Sequence, residues 1–176
     1  MLQRLFQPRP AALAGRALYA PLIEQARTPA FYLGGRVPDT NEGRFELYAL
    51  HLALVARRLH AAGAFAEEAS QALFDAFLQG LDDGLREIGI GDLTVPKKMK
   101  KLGAALYGRF KNYDAALEED SDRSLEQVLA RTVYVGVEDP PASALAAYAR
   151  ASGAALAATP TELLFERPLL WPEVRL

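Results

Sequence analysis

Apolar residues recur along this chain every three or four positions, and no long segment alternates with a period of two. This spacing places apolar side chains on one face of an α-helix. The pattern therefore predicts an all-α fold, a single-domain bundle of about six helices over residues 1–176. We expect helices over residues 10–27, 41–63, 65–88, 96–117, 121–136 and 140–158, one more turn at 161–165, and an irregular tail from 168.

Proline and glycine residues separate the predicted helices. Pro29 is expected to end the first helix, and Gly34 lies in a predicted loop over residues 31–39. Asn41 is a favourable cap for the second helix. Pro96 suits the first turn of the fourth, where a missing N–H costs nothing.

The second predicted helix is apolar on two sides. One stripe contains Phe45, Tyr48, Leu52, Val55 and Leu59, and the other contains Leu47, Leu50 and Leu54. A helix that is apolar nearly all round usually lies at the centre of a bundle. The alternative is that one of its sides forms the wall of a groove for an apolar partner.

The fourth predicted helix has two contrasting faces. Its apolar face, predicted to be core, contains Met99, Leu102, Leu106, Phe110, Tyr113 and Leu117. Its opposite face contains Lys97, Lys100, Lys101, Ala104, Gly108 and Lys111. Ala104 and Gly108 are one turn apart, and small residues at this spacing let another helix approach closely. They are otherwise tolerated surface positions.

Four lysines lie in the first turns of this helix, at Lys97, Lys98, Lys100 and Lys101. The positive end of the helix dipole disfavours cations there by roughly 0.3–1 kcal/mol each. Such a cluster indicates a binding surface for an anionic partner. The alternative is a solvated basic end that Asp92 partly neutralises.

Composition narrows the function classes. The chain has no cysteine, so it has neither disulfides nor a thiolate metal site. Its net charge of −2 does not favour binding to DNA, and no sequence-specific DNA binding is expected.

No apolar run approaches the ~20 residues of a membrane span. Residues 1–23 contain three arginines and no acid, like a transit peptide, but Leu13, Leu18 and Leu22 fit a helix packed on the domain better.

No catalytic or cofactor motif is recognisable. His51 and His60 are nine residues apart on one helix, so they point to opposite sides and cannot share a metal. Gly89 and Gly91 follow a helix rather than a strand, which excludes a dinucleotide fingerprint. We therefore expect no metal, no cofactor and no enzymatic activity.

Three stretches together carry a more specific signal. The first runs from Leu18-Tyr19 to Arg27, and the second is Pro38-Asp39-Thr40-Asn41-Glu42-Gly43-Arg44-Phe45-Glu46-Leu47. The third is Gly91-Asp92-Leu93-Thr94-Val95-Pro96-Lys97-Lys98-Met99-Lys100-Lys101-Leu102-Gly103, followed by Tyr107-Gly108-Arg109 and Tyr113-Asp114-Ala115-Ala116-Leu117. Over about residues 18–148 the chain resembles the ubiquinol–cytochrome c chaperone family.

The resemblance implies a non-catalytic, α-helical assembly chaperone for ubiquinol–cytochrome c reductase that binds newly made cytochrome b. Mitochondrial relatives also work near the ribosomal exit tunnel and act with a small partner protein. Here the similarity begins close to Met1, which leaves no room for a cleaved presequence and suggests a bacterial member. We expect it in the cytoplasm, at most peripheral to the inner membrane.

The partner-binding residues expected from both arguments are Lys97, Lys98, Lys100, Lys101, Ala104, Tyr107, Gly108 and Lys111. The sequence leaves the partner open between cytochrome b or another respiratory-chain subunit, the ribosome, and an anionic membrane surface. It also leaves two rival functions: a peripheral membrane or lipid-binding domain, and an unrecognised enzyme acting on quinone or haem precursors. The oligomeric state does not follow from the sequence.

Overall fold

A computed structural model of the chain describes residues 9–60, 62–119 and 121–175, and within these ranges it consists of helices and loops without strands. The all-α prediction is therefore confirmed. The helices are α1 (Pro10–Ala17), α2 (Tyr19–Ala26), α3 (Pro29–Leu33), α4 (Asn41–Leu59), α5 (Ala64–Glu87), α6 (Val95–Glu118), α7 (Asp122–Thr132), α8 (Ala142–Ala158) and α9 (Leu163–Glu166). That residues 1–176 form one domain stays a prediction.

Helix α4 is the centre of the bundle. Twelve of its 19 residues are buried, and it contacts α2, α5, α6 and α8. Leu47 and Leu50 are fully buried on one side and Leu52 and Leu59 on the other. Thr40 caps the helix by accepting a 3.1 Å hydrogen bond from the Gly43 amide. The prediction of a central helix from its two apolar stripes is confirmed.

The amino-terminal region differs from the prediction. The expected helix over residues 10–27 is two helices that meet at Leu18. Pro29 begins a further short helix, α3, rather than only ending the one before it. Phe31 was expected in a loop, but it lies in α3 and is fully buried. Leu18 and Leu22 are buried as predicted, but Leu13 is 53% exposed.

Helix α1 packs tightly along α5. A Cβ atom added to Gly15 would come within 2.0 Å of the Ala69 carbonyl oxygen, so only glycine permits this approach. Arg9 adds an ion pair with Glu68 at 3.6 Å.

Two other helices end earlier than predicted. Helix α4 ends at Leu59 rather than at residue 63, because His60 is already extended. Helix α7 ends at Thr132 rather than at residue 136, since residues 133–136 form a turn whose Gly136 has a φ of 78°. The extra turn predicted at 161–165 corresponds to α9, and residues 168–175 are irregular as predicted.

Arginine side chains bind the exposed carbonyl groups at two helix ends. Arg58 donates to the carbonyls of Leu156 at 2.8 Å and Thr159 at 2.7 Å, at the end of α8. Arg150 donates to the carbonyls of Ala116 at 3.2 Å and Glu119 at 2.9 Å, at the end of α6. The last carbonyls of a helix lack partners within it, so these contacts join α4 to α8 and α8 to α6.

A buried polar network links α2, α4 and α8. His51 is fully buried, and its Nδ1 atom lies 2.8 Å from the Leu47 carbonyl. Nδ1 must therefore carry the proton, and Nε2 accepts a 2.9 Å hydrogen bond from the Tyr148 hydroxyl. That hydroxyl accepts in turn from Gln25 at 3.0 Å. Trp171 of the tail packs edge-on against the imidazole, with centroids 5.0 Å apart. His51 is thus a packing histidine.

No helix in the described ranges is both long enough and apolar enough to cross a membrane.

Candidate partner-binding site

The buried face of α6 fixes which residues it presents to solvent. Val95, Leu106 and Tyr113 are at most 1% exposed, and the Tyr113 hydroxyl lies 3.2 Å from Thr132 Oγ1 of α7. Burial raises the pKa of Tyr113, which therefore stays protonated. The opposite side of α6 must face solvent, as its pattern predicts.

The predicted core face of α6 is only partly correct. Leu106 and Tyr113 are fully buried, whereas Leu102, Phe110 and Leu117 are partly buried against the core. Met99 is half-buried and lies outside the core cluster, so the apolar pattern of α6 overestimated its burial.

An ion pair sets the rotation of α6 against α4. The Arg109 guanidinium donates from Nε and from one terminal nitrogen to the two carboxylate oxygens of Glu46, each at 2.7 Å. The Glu46 side chain is only 10% exposed. Its hydrogen bonds with Arg109 raise the pKa of that guanidinium above its ordinary value, so Arg109 stays charged. A two-point contact of this kind permits little rotation.

The four lysines at the start of α6 are all exposed. Within the described part of the chain none of them makes an ion pair. The alternative interpretation, a basic end partly neutralised by Asp92, gains no support from a direct contact, because Asp92 pairs with Arg86 of α5. The positive charge of this end is therefore available to a partner.

A groove of about 890 Å³ opens between α4, α5 and α6. Apolar and aromatic side chains form its floor: Leu52, Ala53, Ala56, Phe74, Phe110 and Leu117. Charged and polar side chains surround them: Arg57, His60, Glu67, Gln71, Lys111, Asp114 and Glu118. The rings of Phe74 and Phe110 meet edge to face across it, with centroids 6.1 Å apart. Binding clefts commonly combine an apolar lining with a few polar groups, and grooves that bind amphipathic helices are apolar.

Ion pairs join α4 and α6 beside this groove. Arg57 contacts Asp114 and lies 3.6 Å from Glu118. A second hollow of about 370 Å³ lies on the other side of Arg57 and Leu117, against α8.

The structure places two of the eight predicted partner-binding residues at the groove and the other six outside its lining. Tyr107 and Lys111 line the groove, and Tyr107 is 76% exposed. The four lysines lie beyond it. Ala104 is exposed and does not line it, and a Cβ atom added to Gly108 would meet nothing within 4 Å. Close approach of a partner at Gly108 is therefore sterically open.

Several groove residues were not predicted as site residues, notably Phe74 and Gln71 of α5. The signal for α4 was present, since Leu52 belongs to one of its two apolar stripes. Nothing in the local pattern of α5 distinguishes a groove residue from a core residue, because the groove depends on how three helices diverge.

Among the described residues, no group of three or more histidine, cysteine or carboxylate side chains could hold a metal. His51 lies in the core, while His60 lines the groove, so the two point apart as expected.

Comparison with known proteins adds to the geometry. Residues 35–171 match the family described as Ubiquinol-cytochrome C chaperone. The crystal structure of the Cbp3 homolog from Brucella abortus is similar, with a TM-score of 0.83 and 34% sequence identity. That likeness covers 99% of this chain and 98% of the other. No curated protein matches the sequence significantly. From the family match and this structural likeness, we conclude that the chain belongs to the ubiquinol–cytochrome c chaperone family.

Proposed function

We propose that this protein is a non-catalytic assembly chaperone for ubiquinol–cytochrome c reductase, that its client is newly made cytochrome b, and that the groove between α4, α5 and α6 holds the client. Family membership supports the assembly role. The groove supports binding of an apolar segment. We place the protein in the bacterial cytoplasm, where such a client would be met before its insertion is complete.

The groove carries this proposal. Its floor offers the partly exposed rings of Phe74 and Phe110 to an apolar helix face, and Tyr107 stands exposed at its edge. Tyrosine is one of the residue types enriched among the energetic hot spots of protein interfaces. Gly108 leaves space beside Tyr107 for a second backbone. A chaperone that only shields apolar surface needs no catalytic group.

Site-specific photo-crosslinking in a native membrane extract tests the client and the site together. A photoreactive residue replaces Tyr107 in one variant and Val135 in the control, since Val135 is also exposed, at 70%, and lies outside the groove. We expect cytochrome b as the main adduct at position 107 and not at 135. Equal adducts at both positions, or a different main partner at 107, would refute the proposed site or client.

A charge substitution supplies a second test. Tyr107→Asp places a carboxylate at the apolar groove and should weaken client binding by about tenfold or more, the loss typical of an interface hot spot. Because Tyr107 is exposed, stability should change by no more than about 0.5 kcal/mol. Val135→Asp is the matched control and should bind normally.

A further inference from the structure

The turn between α5 and α6 presents apolar side chains to solvent. Gly89, with a φ of 82°, ends α5, and the amides of Gly89 and Ile90 bond the carbonyls of Arg86 and Leu85. This Schellman arrangement reverses the chain tightly. Ile88 is left 56% exposed and Leu93 98% exposed. A leucine with almost no contact to its own protein adds nothing to folding.

Leu93 shares a face with lysines of α6. The amides of Thr94 and Val95 both bond the Gly91 carbonyl, and Thr94 has helical dihedral angles, so the helical path extends back into the turn. Leu93 then precedes Lys97 by four residues and Lys100 by seven, which places the three on one side of the helix. Val95, buried between them, anchors this end to the core.

We propose that this basic tip, defined as Ile88, Leu93, Lys97, Lys98, Lys100 and Lys101, binds the surface of a bilayer that contains anionic lipid. The lysines meet lipid phosphates, and Leu93 enters the boundary between headgroups and acyl chains. Polybasic segments bind anionic membranes through such charges, and an inserted apolar side chain adds to this binding.

The combination of groups favours lipid over other anionic partners. RNA would neutralise the lysines but leave Leu93 and Ile88 in water. Protein interfaces are depleted in lysine at their centres, and the basic tip is a projecting turn with one fully exposed leucine rather than a surface of matched shape. A fluid bilayer surface can adapt to a projecting turn. Its phosphates can bind the lysines while its acyl-chain boundary accepts the apolar side chains.

Vesicle sedimentation with the full chain tests this inference. We expect binding to vesicles that contain phosphatidylglycerol, none to phosphatidylcholine alone, and weaker binding as salt rises. Changing Lys97, Lys98, Lys100 and Lys101 to glutamine should reduce partitioning by at least about 100-fold. Changing the exposed and dispersed Arg16, Arg123, Arg131 and Arg167 to glutamine removes the same charge and should reduce it far less.

The apolar contribution has its own test. Leu93→Ser should weaken binding by about fivefold, whereas Val135→Ser should not. Because the chain has no cysteine, Leu93→Cys and Val135→Cys each accept one environment-sensitive fluorophore. Only the probe at 93 should shift to the blue and be quenched by brominated lipid. Equal loss in both charge variants, equal behaviour of both probes, or binding to RNA but not to vesicles would overturn the proposal. These vesicle assays contain no client protein. A negative result would therefore refute lipid binding by the basic tip without bearing on client binding in the groove.

Discussion

Arg109 of α6 holds Glu46 of α4 through two parallel 2.7 Å hydrogen bonds, so the helix that carries the basic tip is oriented by the helix at the centre of the bundle. This contact also sets which face of α6 borders the groove.

Removing one member of this pair should be costly. Arg109→Met leaves the nearly buried Glu46 carboxylate without its partner and should lower the free energy of unfolding by about 2–4 kcal/mol, less than for a fully buried pair because Arg109 is 25% exposed. Urea unfolding measures this. Adding Glu46→Met should restore much of the loss, and a double variant no more stable than the single one would contradict the explanation.

Leu106→Ala should cost about 2–5 kcal/mol in denaturant unfolding, because Leu106 is fully buried and the change leaves a cavity. Leu93→Ala, in the turn that precedes α6, is the control. It should change stability by no more than about 0.5 kcal/mol, since Leu93 is 98% exposed. A loss below ~1 kcal/mol at position 106 would argue against a rigid core there.

Changing Lys97 and Lys101 together to glutamate should leave stability unchanged or raise it by about 0.3–1 kcal/mol per residue, because acids suit the start of a helix. Association with a membrane, client or ribosome should weaken, and the wild-type association should fall as salt rises. Thermal unfolding and a binding titration measure the two effects. The opposite result would be a double variant that is largely unfolded but whose folded molecules still bind every partner tested. That result would show that the lysines are structural.

Two glycines should respond in opposite ways. Gly108→Leu fills open space on α6 with a better helix former, so stability should hold or rise by up to about 1 kcal/mol while client binding falls. Gly15→Ala forces a methyl group against the Ala69 backbone and should cost at least about 1–3 kcal/mol. Thermal melts followed by circular dichroism compare the two variants directly. If Gly108→Leu destabilised the protein, the space beside Gly108 would not be open as the structure shows it.

Stability should depend on pH through His51. Burial lowers its pKa from 6.5 to about 4, so between these values the unfolded chain binds a proton that the folded chain does not. The contribution of His51 is then complete above pH 6.5 and decreases as pH falls towards 4, by roughly 3 kcal/mol in total. Comparing urea unfolding of wild type and His51→Gln across this range isolates the effect. A parallel pH dependence in the two proteins would contradict it.

Helical periodicity predicted the long helices well, because burial of one face determines both the pattern and the structure. Helix α6 was expected from residue 96 and begins at Val95, and α5 was expected from 65 and begins at Ala64. Periodicity did not predict the break at Leu18, since an apolar stripe continues through both α1 and α2.

The site was predictable only where it depends on one helix. The exposure of the lysines and the open space at Gly108 follow from the α6 pattern alone. The groove and the Glu46–Arg109 pair do not, because they join residues tens of positions apart. Asp92 illustrates this limit. It is close to the lysines in sequence, yet the reversal at Gly89 directs it to Arg86.

The central position of α4 has a consequence for synthesis of the protein. Its partners are spread along the chain, and the bond between His51 and Tyr148 joins residues 97 positions apart. A chain growing from its amino terminus can pack α4 against α2, α5 and α6 first, but the side of α4 that packs on α8 faces water until α8 has left the ribosome. Premature termination anywhere before α8 therefore yields a polypeptide with an open core, one that aggregation or proteolysis would remove.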